Sequence, residues 1–348
     1  MALQDLATNL DDALSQLYAP KLVRAFNRAS VLGSLLPKKI GRGKNIAWDV
    51  MFSGASAASY TDGADVSTYD VDTPVPATLS WGLYRSSFSV SGLAQAAAAT
   101  SAGSAQELLD IIGTSIDNSA MKLSSTLNAA MFAGTGSGTT LTGLATALDN
   151  TGTYAGIARA SYSEWQANVL SNGGSNRALT KALLDSLEAD IFEACGFGPN
   201  AIVMTADLAS KYESLFDAQT RVMLAPGNEI SPMNPNGGAP GNIINPSGFT
   251  GFTYKGIPVY RDRDATANVV YMLNTEALHI EFLPQPQKTT ASMSGNVQAM
   301  GSSATDMGLA FKLESVAKTG DADKFTMKAY LNLVVTRPNA CGVLKDVA

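Results

Sequence analysis

Between Ser104 and Gly134 the apolar residues Leu108, Ile112, Ile116, Ala120, Leu123, Leu127 and Met131 recur at spacings of three and four. That period places them on one face of a single α-helix. Glu107 falls in the first turn, where the helix dipole favours an acid, and Ser101 or Ser104 can cap it. Gly134 supplies the stop. The predicted helix runs over 105–133, on the order of 40 Å at about 1.5 Å per residue. Typical globular helices have about 11–12 residues. This one is long enough to span a subunit, and the rest of the chain must be built along it.

What precedes the helix does not read as a domain. Residues 3–36 form helical stretches broken by Pro20 and closed by Pro37, with Leu10, Leu14 and Leu17 on one face and Leu22, Phe26 and Leu32 continuing the series. The segment is too short to bury itself, so it reads as an arm packed on something else. A basic turn, KKIGRGK, then leads into a strand in which Ile46, Trp48 and Val50 alternate with Asn45, Ala47 and Asp49. After a polar stretch over 53–78 the chain returns through TLSWGLYRSSFSVSGL, where Leu79, Trp81 and Leu83 alternate before the phase shifts toward Phe88 and Val90. The pattern predicts an extended β-hairpin with a long tip. A lone hairpin is marginal in water and needs a partner surface.

Beyond the long helix the pattern is mixed. It predicts helices near 161–171 and over 178–195, the latter with Leu183, Leu187 and Ile191 in phase. AIVMT reads as a short buried strand and DLASKYESLFD as a helix with an Asp or Thr cap. Residues 225–251 are a Pro/Gly/Asn loop without a period. Strands follow in FTYKGIPVYRD, VVYML and LHIEFL, and a closing hairpin turns at TGDAD. The fold class is α+β.

The 348 residues, 45% of them hydrophobic, suffice for two or so domains. Only 16% are charged, and small residues abound, which suits a surface closed against neighbours. A net charge of −6 gives no general attraction to nucleic acid, so any contact with DNA should be local. Cys195 and Cys341 are far apart, which favours a reducing compartment and two small buried side chains rather than a disulfide. No signal peptide and no apolar run near the ~20 residues of a membrane span are visible. The expectation is a soluble protein made in the cytoplasm.

Catalytic chemistry finds no foothold. In GTGSGTT (134–140) the glycines follow a helix C-terminus, whose carbonyls repel anions, whereas a phosphate cradle needs a helix N-terminus. GRGKN lacks the full Walker spacing. His279, the only histidine, stands in an alternating strand without a GxSxG elbow, and with two distant cysteines a zinc site is improbable. No catalytic, cofactor-binding or metal-binding residue is assigned. The residues singled out are instead candidates for contact between subunits: Trp48 in the outgoing strand, Asp62, Asp65, Asp70 and Asp72 on the tip, Arg85 among small polar residues, and Arg261 and Arg263 in YRDRDA. The acids read either as a solvated tip or as a docking surface for a neighbour's arginines.

Arm, long hairpin, spanning helix, mixed domain and closing hairpin occur in that order. With YRSSFSVSGLAQ, LNAAMFAGTGS, and YKGIPVYRDRDA followed by VVYMLN, the chain resembles the major capsid proteins of tailed bacteriophages, which have the Hong Kong 97 fold. The resemblance implies an N-terminal arm (1–44), an extended loop (45–100), a peripheral domain with the spine helix (101–140 and 290–348) and an axial domain (141–289). It implies hexamers and pentamers of this chain closing an icosahedral shell around double-stranded DNA, bound without sequence specificity. The partners implied are further copies, a scaffolding protein, a portal and a decoration protein; the place is the virion capsid, assembled in the bacterial cytoplasm, with no membrane. Some members weld subunits through an extended-loop lysine, but from Asn45 to Met121 this chain has none. The arm starts almost at Met1, which implies a separate scaffolding protein or a chain already trimmed. The rival readings are an encapsulin-type nanocompartment shell of the same fold, a decoration or adhesion module, and a hydrolase pairing Ser137 with His279.

Overall fold

The computed structural model describes residues 30–52, 59, 61–63, 73–93, 104–217, 253–284, 311–316 and 320–348. Outside them lie the arm residues Leu10, Leu14, Leu17, Leu22 and Phe26, the tip residues Asp65, Asp70 and Asp72, and the 225–251 loop; the Ser101 and Ser104 caps and the side chains of Leu108 and Ile112 are likewise not described. In chain order the elements are α1 (Val31–Leu35), β1 (Lys38–Ile40), β2 (Asn45–Met51), β3 (Pro74–Ser80), β4 (Gly82–Ser91), α2 (Ser104–Ala133), α3 (Leu144–Ala147), β5 (Thr153–Tyr154), β6 (Ile157–Ala158), β7 (Asn168–Leu170), α4 (Lys181–Cys195), β8 (Ala201–Met204), α5 (Ala206–Asp217), β9 (Thr253–Tyr254), β10 (Ile257–Arg261), β11 (Val270–Leu273), β12 (Leu278–Phe282), β13 (Phe311–Val316), β14 (Ala322–Val335) and β15 (Gly342–Leu344).

The spine helix α2 is one unbroken run of 30 residues, about 45 Å long. Ile116, Ala120, Leu123, Leu127 and Met131 are buried along the face that the spacing predicts. They share a core with Phe325, Met327, Ala329, Leu331, Leu333 and Val335, which alternate along β14. Gly134 stops the helix, as expected, by making room for the returning chain. A Cβ there would lie 2.3 Å from the Leu141 carbonyl oxygen and 2.5 Å from that of Ala130. The glycine lets the chain fold back at once, with the Gly143 amide donating to the Gly134 carbonyl at 2.9 Å. Gly134→Val should cost about 1–3 kcal/mol through overpacking against backbone, read as a lowered urea midpoint.

β14 is the longest strand and carries three others. One edge pairs with β4 over Ala322–Leu331; the other takes β13 over Lys324–Ala329 and β12 over Leu331–Val335, with β1 beyond β12. The return strand of the hairpin is therefore not continuous, as its sequence suggested, but divides at Trp81. β3 pairs with β2 from Asn45↔Ser80 to Met51↔Pro74, whereas β4 crosses into the body sheet. Gly82 permits the crossing, since a Cβ there would sit 2.7 Å from Leu141 Cβ and 2.8 Å from the Leu331 carbonyl oxygen. The phase shift in the sequence marks this change of sheet.

The second sheet runs β7-β15-β11-β8-β10-β9. Ile202, Met204, Val270, Met272 and Leu344 turn toward Leu184, Leu187 and Ile191 of α4 and Leu208 and Tyr212 of α5. The intervening Val203, Tyr271, Leu273 and Val343 join the core of α2. Both faces are covered, which is why AIVM and VYML read as uninterrupted apolar runs. Strand pairing runs across the boundary drawn at 289/290: β12 lies in the β14 sheet, and β15 returns to the second sheet.

Two helix expectations need correction. α4 is capped by Thr180 and closed by left-handed Gly196, but Leu184 rather than Leu183 joins the buried face with Leu187 and Ile191. Over 161–171 there is no α-helix; single 3₁₀ turns at Arg159–Ser161 and Ser163–Trp165 lead into β7. The buried Trp165 donates its indole N–H to the Tyr154 carbonyl at 3.2 Å, and that tertiary bond overrides the local helical spacing. α5 follows expectation, with the Thr205 hydroxyl accepting the Leu208 amide at 3.3 Å. Among the described residues no helix is long and apolar enough to cross a membrane.

Candidate functional site: the assembly surfaces

The hairpin is held firmly at its base. Trp81 is buried with Ile46 and Val334, and donates its indole N–H to the Gly43 carbonyl at 3.2 Å. Gly41 packs beneath the indole, where a Cβ would be 2.1 Å from Cη2, and its amide donates to the Phe282 carbonyl at 2.8 Å. Asn332, buried in β14, donates to the Ser80 carbonyl at 2.7 Å and accepts the Thr142 amide at 2.8 Å. It thus ties the end of the ribbon to the loop after α2. Farther out, the Thr78 amide reaches the Ala155 carbonyl at 2.8 Å, and the Phe52 and Tyr162 rings stack 3.9 Å apart.

Trp48 is half-buried against Leu79 and Val334, and its indole N–H has no partner among the described residues. With Lys39, Ile40, His279, Glu281 and Thr336 it lines a cleft beside the ribbon. Asp62 is exposed. Arg85 is exposed on β4 directly opposite Lys328, which Glu314 engages at 2.5 Å. That bond raises the Lys328 pKa, while Arg85 opposes the effect. Like charges across a strand pair are unfavourable, so an incoming acid at Arg85 would relieve a conflict.

Arg261 and Arg263 flank a buried node that the sequence did not reveal. Arg261 lies 4.0 Å from Glu213. Arg263 is exposed and held by Asp264 at 3.1 Å and by the Ser125 hydroxyl of α2 at 2.9 Å. Between them, buried Asp262 accepts the Asn128 side-chain N–H at 2.8 Å, the Asp264 amide at 2.8 Å and the Val31 amide at 3.1 Å. One carboxylate thus joins the start of α1, the spine helix and the end of β10. The strand-like alternation in RDRD was the available signal, because it turns Asp262 inward while both arginines face out. Arg159 is a second buried charge, donating to the carbonyls of Thr151, Thr146 and Ala147 at 2.7–2.8 Å; burial lowers its pKa.

The residues weighed for chemistry serve packing. His279 is buried beside Glu281, with 3.7 Å between Nε2 and Oε2. In the 134–143 turn the amides of Gly136, Thr140 and Gly143 donate to the chain's own carbonyls, so they do not converge on an anion. Cys341 is buried, which pushes its thiol pKa up to about 12, whereas Cys195 is only half-buried; neither is in a disulfide. Among the described residues no three His, Cys, Asp or Glu side chains gather where a metal ion would sit.

Comparison with known proteins agrees with this geometry. Among curated proteins none matches the chain. The structure is similar to that of the cyanophage A-1(L) capsid asymmetric unit, with a TM-score of 0.65 and 21% identity over 91% of this chain and 92% of that one. It is also similar to the capsid of an empty GTA particle, with a TM-score of 0.55 and 15% identity over 92% and 90%. A third is the SrpI encapsulin complex of Synechococcus elongatus PCC 7942, with a TM-score of 0.50 and 11% identity over 91% and 86%. These likenesses establish the fold. The family profile described as SU10 major capsid protein matches residues 49–348. That family is structural and not enzymatic. The chain therefore belongs to the SU10 major capsid protein family of phages and carries the Hong Kong 97 capsid fold.

Proposed function

We propose that this chain tiles as hexamers and pentamers into an icosahedral shell enclosing the double-stranded DNA of a tailed phage, and that it assembles in the host cytoplasm. Scaffolding protein, portal and decoration protein are its proposed partners. From the arm (1–44) and extended loop (45–100), the parts that α1, β1 and β4 do not hold on the chain's own body reach neighbouring copies. The peripheral domain (101–140 and 290–348) forms the shell wall, and the axial domain (141–289) packs around the symmetry axes.

The observation that carries the reading is the hairpin. Its base is fixed by Trp81, Gly41 and Asn332, and Ala77, Val50, Val75 and Phe52 rest one face on the chain's own core. Yet β2 and β3 pair in sheet only with each other, and the opposite face stays exposed. A two-stranded ribbon is marginal alone, and Met51 at its far end is 57% exposed. Contact with further copies supplies the missing surface, and many modest interfaces add up in a closed shell. An encapsulin-type shell shares the fold; the family match favours the phage assignment.

Replacing residues 56–72, which leaves β2 and β3 whole, by a short turn tests the proposal. The truncated chain should stay folded, with an unchanged melting profile, and elute as small oligomers where the intact chain yields closed particles in negative-stain micrographs. Closed particles from the truncated chain would contradict it.

A further inference from the structure

Cations are concentrated in one short stretch of the sequence. From Ala13 to Trp48 there are seven lysines and arginines and no acid or histidine. The remainder has 17 cations and 30 acids, so a chain of net −6 divides into a stretch of +7 and a body of −13. A block of basic residues set apart in this way is suited to holding a polyanion that the rest of the surface repels.

The stretch closes in a turn whose shape is fixed while its charges stay open. Lys39, Arg42 and Lys44 are exposed, and none has an ion-pair partner among the described residues. Lys38 is half-buried and has a partner of its own. The backbone is pinned on both sides of Arg42: the Gly41 amide donates to the Phe282 carbonyl at 2.8 Å, and the Trp81 indole N–H donates to the Gly43 carbonyl at 3.2 Å. Gly43 takes the left-handed conformation, with φ 82°. The amides of Arg42, Gly43 and Lys44 have no acceptor among the described residues. Three cationic side chains and three backbone N–H groups are thus offered by one short turn. Glu281, opposite Lys39 in register, is engaged with His279.

We propose that the turn 39–44 binds the phosphate backbone of DNA. Phosphate oxygens accept hydrogen bonds from arginine, lysine and backbone N–H groups, which are the donors this turn supplies. An acidic protein fits less well. The exposed residues from 42 to 47 are Arg42, Gly43, Lys44, Asn45 and Ala47, with no large apolar side chain to anchor an interface core, from which lysine is depleted. The contact rests on the shell reading for the source of the DNA and turns the 39–44 face toward the lumen; the binding itself belongs to the single chain. With about two or three phosphates engaged and an acidic body around the turn, each contact is weak, with a Kd on the order of 10⁻⁴ M. It becomes effective where many copies act on one DNA molecule.

Fluorescence anisotropy of a short labelled duplex, titrated with the full chain below the concentration at which particles form, tests the site. The affinity of the unaltered chain should fall about ten- to fortyfold between about 50 and 200 mM salt, as about two or three neutralised phosphates require. Arg42→Gln with Lys44→Gln should weaken binding about tenfold at the lower salt and reduce the salt slope by about two. Both side chains are exposed, so the melting profile should not move. Lys181→Gln, which alters an exposed lysine of α4, should leave the affinity unchanged. Absence of salt-sensitive binding by the unaltered chain would overturn the site, as would full affinity in the double variant. An equal loss in Lys181→Gln would also overturn it, since the attraction would then be general. So would tighter binding of polyglutamate than of the duplex at matched charge, because the turn would then serve an acidic protein. Particles from a chain that fails to bind the duplex would sink the site and leave the shell reading standing. Binding by a chain that forms no particles would do the reverse.

Discussion

Ile116→Pro should leave essentially no soluble protein. Ile116 is 1% exposed, lies within the unbroken run Ser104–Ala133, and faces the core that α2 shares with β14. Proline at that position removes a backbone donor and drives its ring into the carbonyl four residues back, which costs about 3 kcal/mol or more. Loss of the isoleucine side chain from a close-packed core adds to that. Against a typical total of about 5–15 kcal/mol, the sum is a large share. Ile116→Val is the control, expected to cost about 0.5–1.5 kcal/mol and to express normally. Soluble yield and the circular-dichroism melt of the two variants decide the matter. A proline variant with normal yield and melting profile would mean that the helix is not the continuous strut described.

Asp262→Ala should be the most damaging of the polar substitutions. The carboxylate is buried and accepts bonds from Asn128, Asp264 and Val31, which belong to three separate parts of the chain. Hydrogen bonds to charged groups contribute about 1.5–3 kcal/mol each, and stranding buried donors costs about 1–3 kcal/mol. A net loss of about 3 kcal/mol is expected, because Asn128 keeps its bond to Asp264 at 2.9 Å. The loss should be local as well as global. Freed from Asp262, α1 should open, so residues 30–36 should become the first site of limited proteolysis. In a double-mutant cycle Asn128→Ala should add little once Asp262 is gone, since neighbours in one network are not additive. An unchanged urea midpoint for Asp262→Ala would remove the node from the account.

What the sequence disclosed and what it hid follow from the range of the forces involved. The spine helix, the hairpin around 45–80 and the closing hairpin are written as periods of 3.6 or 2, repeated often enough to outweigh local exceptions, and the buried AIVM strand as a continuous apolar run. The division of the return strand at Trp81 was half-legible. Its phase shift was visible, but the change of partner depends on Gly82 approaching Leu141 and Leu331, residues far away in the chain. The supposed helix at 161–171 failed because the Trp165 indole is claimed by Tyr154. Asn332 and Arg159 were missed because a single side chain that binds distant backbone leaves no period at all, and Asp262 left only the short alternation in RDRD. Of the contact candidates, Trp48, Asp62, Arg85, Arg261 and Arg263 have described positions, whereas Asp65, Asp70 and Asp72 do not. Gly134 is instructive in another way: its place as the helix stop was legible, but that it stops the helix by admitting the Leu141 carbonyl was not.

The central claim is that the face of the ribbon which the chain's own body leaves exposed is completed by other copies. Sedimentation velocity on the intact purified chain, across a range of concentrations, tests it most directly. The account predicts a fast, discrete boundary of closed particles that grows at the expense of slower species as concentration rises. A single slow boundary of compact monomer at every concentration would contradict it.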